Sequence, residues 1–169
     1  MKITALVLLG IFCVLTGQYI AYTLEARVDL LEKIAVMITL IESEINYLQR
    51  PADEIFISLS GKKELKKLKS ISSCSQLMND GICFKTAWSK ALSVKSNVRF
   101  LEKDDVNILN SFGETFGITD KEGQIQNCRL HLSLTESKLK EARQKRDSCA
   151  SLSCGLGALT GIGVFIILL

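Results

Sequence analysis

Two charge-free ends enclose a charged middle, and this arrangement constrains the chain more than any motif in it. Residues 3–24 carry no charged side chain, Lys2 being the one charge before them, and residues 148–169 carry none. All 18 acids and 20 of the 21 basic residues of the 169-residue chain therefore fall within 25–147, a stretch of net charge +2. With 47% hydrophobic residues the chain is too apolar for a disordered tail, and with 23% charged residues it is too polar for a pure membrane bundle. Such ends exclude an ordinary cytosolic enzyme. The near balance of charge argues against a nucleic-acid partner, which selects a far more basic surface.

Each apolar end is long enough to cross a bilayer. Residues 3–24 form a run of 22, about 33 Å of helix against a hydrocarbon core of about 30 Å. A cleaved signal peptide has a shorter apolar core, about 7–15 residues, followed by a small-residue cleavage site. Here the run continues past Tyr19 and Tyr22 with no A-x-A pattern before Glu25, which predicts an uncleaved anchor. Phe12 before Cys13 argues against lipidation there. The 18 residues 152–169 give about 27 Å of helix, so this segment just spans. Arg27, Lys33, Arg129, Lys138, Lys140, Arg143, Lys145 and Arg146 flank the spans on the middle side, against Lys2 outside. Basic residues stay on the cytoplasmic side. The expected organisation is a transmembrane anchor at 1–24, a cytoplasmic helical bundle at 25–147 and a C-terminal transmembrane helix at 148–169, with the lipid bilayer as a partner. Cys74, Cys83 and Cys128 in the middle, without a C-x-x-C, suit reduced thiols in a cytoplasmic domain, although spacing leaves a Cys74–Cys83 bridge open.

Between the spans the periodicity is helical. Leu31, Ile34, Ile38, Ile41, Ile45 and Leu48 step by threes and fours, a stripe suited to a long two-helix seam. No breaker separates this stripe from the first span, and Pro51 ends it. Ile125, Cys128, Leu132, Thr135, Leu139 and Ala142 repeat the same steps in a second long helix that runs into the second span, with a capping box at Thr119–Glu122. Antiparallel packing of these two helices buries both stripes. The 51–118 region supplies shorter pieces. Ala52–Leu59 reads as helix or strand; Lys62–Ile71 is amphipathic; Ser72–Asn79 reads as a Ser-rich connector before an Asp80-Gly81 turn. Phe84–Leu92 places Phe84, Ala87, Trp88 and Ala91 at helical spacing, and Asp104 or Asp105 caps a helix carrying Ile108, Leu109, Phe112 and Phe116, closed by Gly117. The fold class expected is all-α, an antiparallel bundle of about six helices between the two terminal transmembrane helices.

No catalytic residues, metal ligands or cofactor follow from the residues. Glu42 and Glu44 stand two apart on a helix and point to different faces, so they do not share a proton or a metal. Cys128 and His131 offer two metal ligands where a closed zinc site takes about four, and His131 is the only histidine. There is no P-loop, G-x-S-x-G or G-x-G-x-x-G. Binding fits better than catalysis. Lys62, Lys63, Lys66, Lys67 and Lys69 suit an anionic leaflet, an acidic protein face or a solvated helix side. Cys154, Gly157 and Gly161 form a small-residue row suited to packing between transmembrane helices.

Several segments together resemble a known family. They are Leu40–Tyr47 followed by Arg50-Pro51, the Ala87-Trp88 pair, Ile108–Gly117 with Asp120 and Gln124, and the long helix into the terminal span. In their order and spacing the chain is similar, over essentially its full length, to stage III sporulation protein AB of endospore-forming bacteria. It departs from that pattern in its several cysteines and its lysine-rich 62–69 stretch. The resemblance implies a non-enzymatic scaffold in the complex joining mother cell and forespore. It implies a place in the outer forespore membrane, with the bundle in the mother-cell cytoplasm. The family's domain is similar to one of the platform protein of type II secretion and type IV pilus machines. That implies a cytoplasmic secretion-type ATPase and other membrane subunits of the complex as partners. Candidate contacts for the ATPase are Glu42, Glu44 and Tyr47, with the polar side of the Phe112–Gly117 helix. Trp88, Phe112 and Phe116 are expected in the core. Two other readings remain at this point: a pore-forming or transport subunit whose Gly-rich second span lines a path, and a thiol sensor built on Cys74 and Cys83.

Overall fold

The stripe from Leu31 to Leu48 contains no breaker, and the helix it specifies is correspondingly long. The computed structural model describes the backbone of residues 2–48 and 52–168 and the side chains of 15–47 and 54–149. Among the described residues there are six α helices, one 3-10 turn at Lys63–Leu65 and no strand. The helices are α1 (Lys2–Leu48), α2 (Ala52–Ser60), α3 (Lys69–Asn79), α4 (Phe84–Ser93), α5 (Lys103–Thr115) and α6 (Lys121–Leu168). Each expected terminal span is thus the continuation of a bundle helix, not a separate element. Among the described side chains no run is long and apolar enough to cross a membrane. Of the expected spans, 152–169 lies outside those side chains altogether, and 3–24 enters them only at Leu15.

The chain divides into two compact units, Met1–Val28 with Lys140–Leu169, and Asp29–Leu139. In the first, α1 and α6 are joined by Arg146, whose Nη1 donates to Glu25 Oε2 at 3.4 Å. Leu15, Tyr19, Ile20 and Tyr22 of α1 are 51–62% exposed there.

In the second unit α1 and α6 are antiparallel, as Lys121 Nζ donating to the Asn46 carbonyl (2.9 Å) and Arg129 Nε donating to Glu42 Oε1 (2.9 Å) require. Leu31, Ile34, Ile38, Ile41 and Ile45 of α1 are all buried; the Leu48 side chain lies outside those described. The α6 stripe is rotated from its expected line. Cys128, Thr135, Leu139 and Ala142 are buried, but Gln124 and His131 take the places expected of Ile125 and Leu132, which are half-buried. Gln124 Nε2 reaches the Thr119 carbonyl at 3.3 Å and His131 Nδ1 lies 3.0 Å from the Asn127 carbonyl, while Gln124 Oε1 is buried without a hydrogen-bond partner. Local bonding offsets only part of the cost of burying these polar groups.

The Ala52–Leu59 ambiguity resolves as helix. Ile55, Phe56 and Leu59 are buried while Ile57 is exposed, which a strand that put Ile55, Ile57 and Leu59 on one face could not do. The Ser-rich stretch is not a connector but the body of α3. Ser70 and Ser75 are buried beside Ile71 and Cys74, and Ser75 Oγ lies 3.3 Å from Ser60 Oγ on α2. Small side chains let these helices approach closely, and that packing outweighs serine's modest helix propensity. Helix starts also differ from expectation. Glu102 is the N-cap of α5, and Asp105 acts from inside the helix, its Oδ2 accepting from the Glu102 N–H at 2.9 Å. At α6 the cap is Asp120, whose Oδ1 accepts from the Gly123 N–H at 3.1 Å, rather than a Thr119–Glu122 box. The closures of α3 and α5 follow expectation, with Gly81 at φ +84° and Gly117 at φ +82°, where side chains are strained.

Aromatic rings from α2, α4 and α5, with Phe116 just beyond α5, form one contiguous cluster in the core. Phe56 meets Phe84, Trp88 and Phe116 at centroid distances of 4.5, 5.3 and 5.4 Å. Trp88 Nε1 donates to the Leu109 carbonyl at 2.8 Å. Gly113 lies directly against the indole, and a Cβ there would overlap it. Trp88, Phe112 and Phe116 are buried.

Candidate docking surfaces

Glu42 and Glu44, two positions apart on α1, turn to different neighbours as helix geometry demands. Glu42 accepts from Arg129 of α6. Glu44 is 8% exposed and accepts from Lys62 Nζ at 3.0 Å, its second oxygen Oε2 buried without a hydrogen-bond partner. Both charges are therefore used inside the bundle, and Glu44 presents almost no surface. Tyr47, one turn further, is 79% exposed. On the polar side of the Phe112–Gly117 segment, Glu114 and Thr115 are exposed, and Thr115 Oγ1 donates to Asn127 Oδ1 at 2.9 Å.

The lysine stretch divides. Lys62 and Lys67 reach back to α1, to Glu44 and to Asp29 Oδ2 (2.9 Å), and hold the 62–67 segment along it. Lys63, Lys66 and Lys69 are exposed. The pairings of Lys67 with Asp29 and of Glu42 with Arg129 escaped the sequence reading because the members of each pair are separated by tens of residues. No local spacing announces such a pair.

Cys128 and His131 are core groups. His131 meets the Phe112 ring edge-on at 5.4 Å. Burial, reinforced by the nearby negative charge of Glu42, pushes the Cys128 thiol up to about 12 and keeps it protonated. Among the described residues no three of His, Cys, Asp and Glu converge as metal ligands. Cys74 and Cys83 remain thiols. Cys74 is buried within α3, Cys83 is exposed just before α4, and no bridge joins them. Cys154, Gly157 and Gly161 lie outside the described side chains.

What this bundle is built for becomes clearer by comparison with known proteins. A family model described as "Stage III sporulation protein AB (spore_III_AB)" matches residues 2–169. The chain belongs to this family. Among its relatives is "Stage III sporulation protein AB" of Bacillus subtilis (strain 168), 24% identical over 170 residues, covering 100% of this chain and 99% of that one. A solved structure titled "Stage III sporulation protein AB (SpoIIIAB)" superposes with a TM-score of 0.57 at 25% identity, covering 73% of this chain and 98% of the other. Membership gives the chain a role in sporulation.

Proposed function

We propose that the chain is a non-enzymatic scaffold subunit of the mother cell–forespore complex, held in the outer forespore membrane by its two ends. Its bundle faces the mother-cell cytoplasm and docks a secretion-type ATPase together with other membrane subunits of the complex. The observation that carries this reading is the first half of α1. From Leu15 to Tyr22 every residue is uncharged and all but Gly17 are exposed, and the same helix continues without a break into the buried stripe from Leu31. An uncharged, unburied helix flanked by tyrosines suits lipid, with Tyr19 and Tyr22 at the headgroup level. The charged segment Lys140–Arg146 of α6 suits the cytoplasmic side of the same interface. Tyr47 and the exposed lysines are the docking candidates on the bundle.

Two measurements test the reading. A membrane-impermeant maleimide applied to intact sporulating cells should leave Cys83 unlabelled until the membrane is permeabilised; labelling of Cys83 from outside would invert the topology. Cys83 is the right probe because Cys74 is buried in either orientation. Full-length protein solubilised in detergent should retain the cognate ATPase, with at least tenfold weaker retention by Tyr47→Ala. No retention by the native chain at high concentration removes the docking role.

A further inference from the structure

The connection between α4 and α5, residues 94–102, is held in one shape by Asn97. The Asn97 Nδ2 donates to the Ala91 carbonyl at 2.8 Å and to Ser73 Oγ of α3 at 3.2 Å, and its N–H donates to the Val94 carbonyl at 2.9 Å. A second turn follows, the Leu101 N–H donating to the Val98 carbonyl at 3.0 Å. Held this way, the connection shows solvent a mixed surface. Val94 is 47% exposed, and Val98, Phe100 and Leu101 are half-buried. Lys95 and Arg99 stand exposed among them, the Arg99 guanidinium 5.2 Å from the Phe100 ring centre. Lys103, the first residue of α5, is exposed as well.

Three contacts place this connection at one end of the Asp29–Leu139 unit. Asp104, next to Lys103, accepts from Lys138 Nζ at 3.0 Å, one residue before α6 leaves the unit at Leu139. Lys67 donates at 2.9 Å to Oδ2 of Asp29, the residue at which α1 enters it. Ser73, the partner of Asn97, is one turn along α3 from Lys69. The exposed Lys66 and Lys69 therefore share this end with Lys95, Arg99 and Lys103. Segments 66–69 and 94–103 together hold six basic residues and one acid, Glu102. The acids packed against them are occupied: Asp29 by Lys67, Asp104 by Lys138, and Asp105 by the Glu102 N–H. Glu32 is half-buried, and Glu136, two positions from Lys138, points to a different face of α6.

We propose that this end is a foot that rests on an anionic lipid surface, with Val94 at the headgroup boundary and Lys66, Lys69, Lys95, Arg99 and Lys103 against the lipid phosphates. The inference rests on the membrane anchoring proposed above and adds to it the lipid class and the surface that reads it. Two features select lipid as the occupant. By sequence only Glu25, Ala26, Arg27 and Val28 separate Asp29 from the uncharged run ending at Leu24. As helix they measure about 6 Å, no more than a headgroup layer of about 5–8 Å. With residues 3–24 in the bilayer, the foot is the end of the unit that meets its surface. The second feature is composition. Apolar side chains interleaved with cations suit an interfacial segment, whose apolar parts enter the boundary while the charges meet anionic headgroups. Because Asn97 already fixes the connection, little freedom is lost on docking. Tyr47, at the opposite end of the α1 stripe, stays available to protein partners.

The test uses full-length protein in phosphatidylcholine nanodiscs, with or without phosphatidylglycerol. A water-soluble acetylating reagent marks accessible lysines, which are read by mass spectrometry. Phosphatidylglycerol should slow acetylation of Lys66, Lys69, Lys95 and Lys103 at least threefold and leave Lys85, exposed in the first turn of α4, unchanged. The protection should vanish at about 1 M salt, where the screening length is about 3 Å. Each lysine at an anionic surface contributes about fivefold to binding, so the triple variant Lys66→Gln, Lys69→Gln, Lys95→Gln should weaken docking on the order of a hundredfold. Lys103 should then be acetylated freely, with unchanged far-UV circular dichroism. Equal acetylation in both kinds of disc overturns the inference and leaves the anchor intact. Protection of Lys103 that survives in the folded triple variant overturns it too. A chain that enters neither disc removes the anchor and the inference together. Protection found in native membranes but absent from the phosphatidylglycerol discs overturns it in favour of an acidic protein.

Discussion

The corner where α2, α4 and α5 meet and the inward face of α6 are both buried, yet they are built from opposite materials. The corner is a set of rings, Phe56, Phe84, Trp88, Phe112 and Phe116, within 4.5–6.0 Å of their neighbours. The α6 face is Gln124, Cys128, His131 and Thr135, and its bonds are made within its own helix and the turn before it, as Thr135 Oγ1 donating to the His131 carbonyl at 2.7 Å illustrates. Ring contacts between separate elements tie those elements together, so losing one is felt across the unit. Bonds closed within one helix contribute little between helices. Stability should therefore concentrate in the corner.

The sharpest way to break this contrast is to remove a ring. Phe56→Ala should lower unfolding stability by about 3–5 kcal/mol, read as a shift of the urea midpoint; a loss comparable to that of a surface change would show the corner to be incidental. Next comes the opposite insult, overfilling. Gly113→Ala forces a methyl into the indole of Trp88 and should cost about 1–3 kcal/mol, with a changed tryptophan emission spectrum.

A smaller effect comes from the α6 face and depends on pH. In the unfolded chain a thiol titrates near 9.0, whereas folded Cys128 holds its proton up to about 12. Between these values the unfolded state binds fewer protons, so stability falls as pH rises, by at most about 1.4 kcal/mol per unit. Comparing urea midpoints at about pH 8 and about pH 10 should show that loss in the native chain and a flatter response in Cys128→Ala. The smallest change is expected from Thr135→Val, which removes a hydroxyl bonded to its own helix. A loss below about 1 kcal/mol is expected; a larger one would mean that the polar face carries tertiary weight after all.

Legibility in the sequence followed the same division. The α1 stripe and the Phe84, Ala87, Trp88, Ala91 face were readable because apolar residues at a fixed period have one physical outcome, burial on one side. The α6 line was missed because periodicity ranks Ile125 and Leu132 above Gln124 and His131, and only the directions of α1 and α5 around α6 decide which of them turns inward. The Ser-rich body of α3 was missed for a related reason: small polar residues signal a loop until a neighbouring helix comes close enough to need them small. Among the docking candidates, Tyr47 is exposed, whereas the lysines separate into two that strap to α1 and three left exposed.

From its order of residues alone this chain determined that it is helical, that its two outer helices are long and continuous, and that its charge lies between two uncharged ends. These are properties of neighbours three or four residues apart, and short-range physics suffices for them. Only the tertiary structure decided that Glu44 is committed to Lys62, that Glu42 is committed to Arg129, and that Gly113 receives Trp88. Each of those contacts depends on where a second element comes to rest, and no local pattern carries that information.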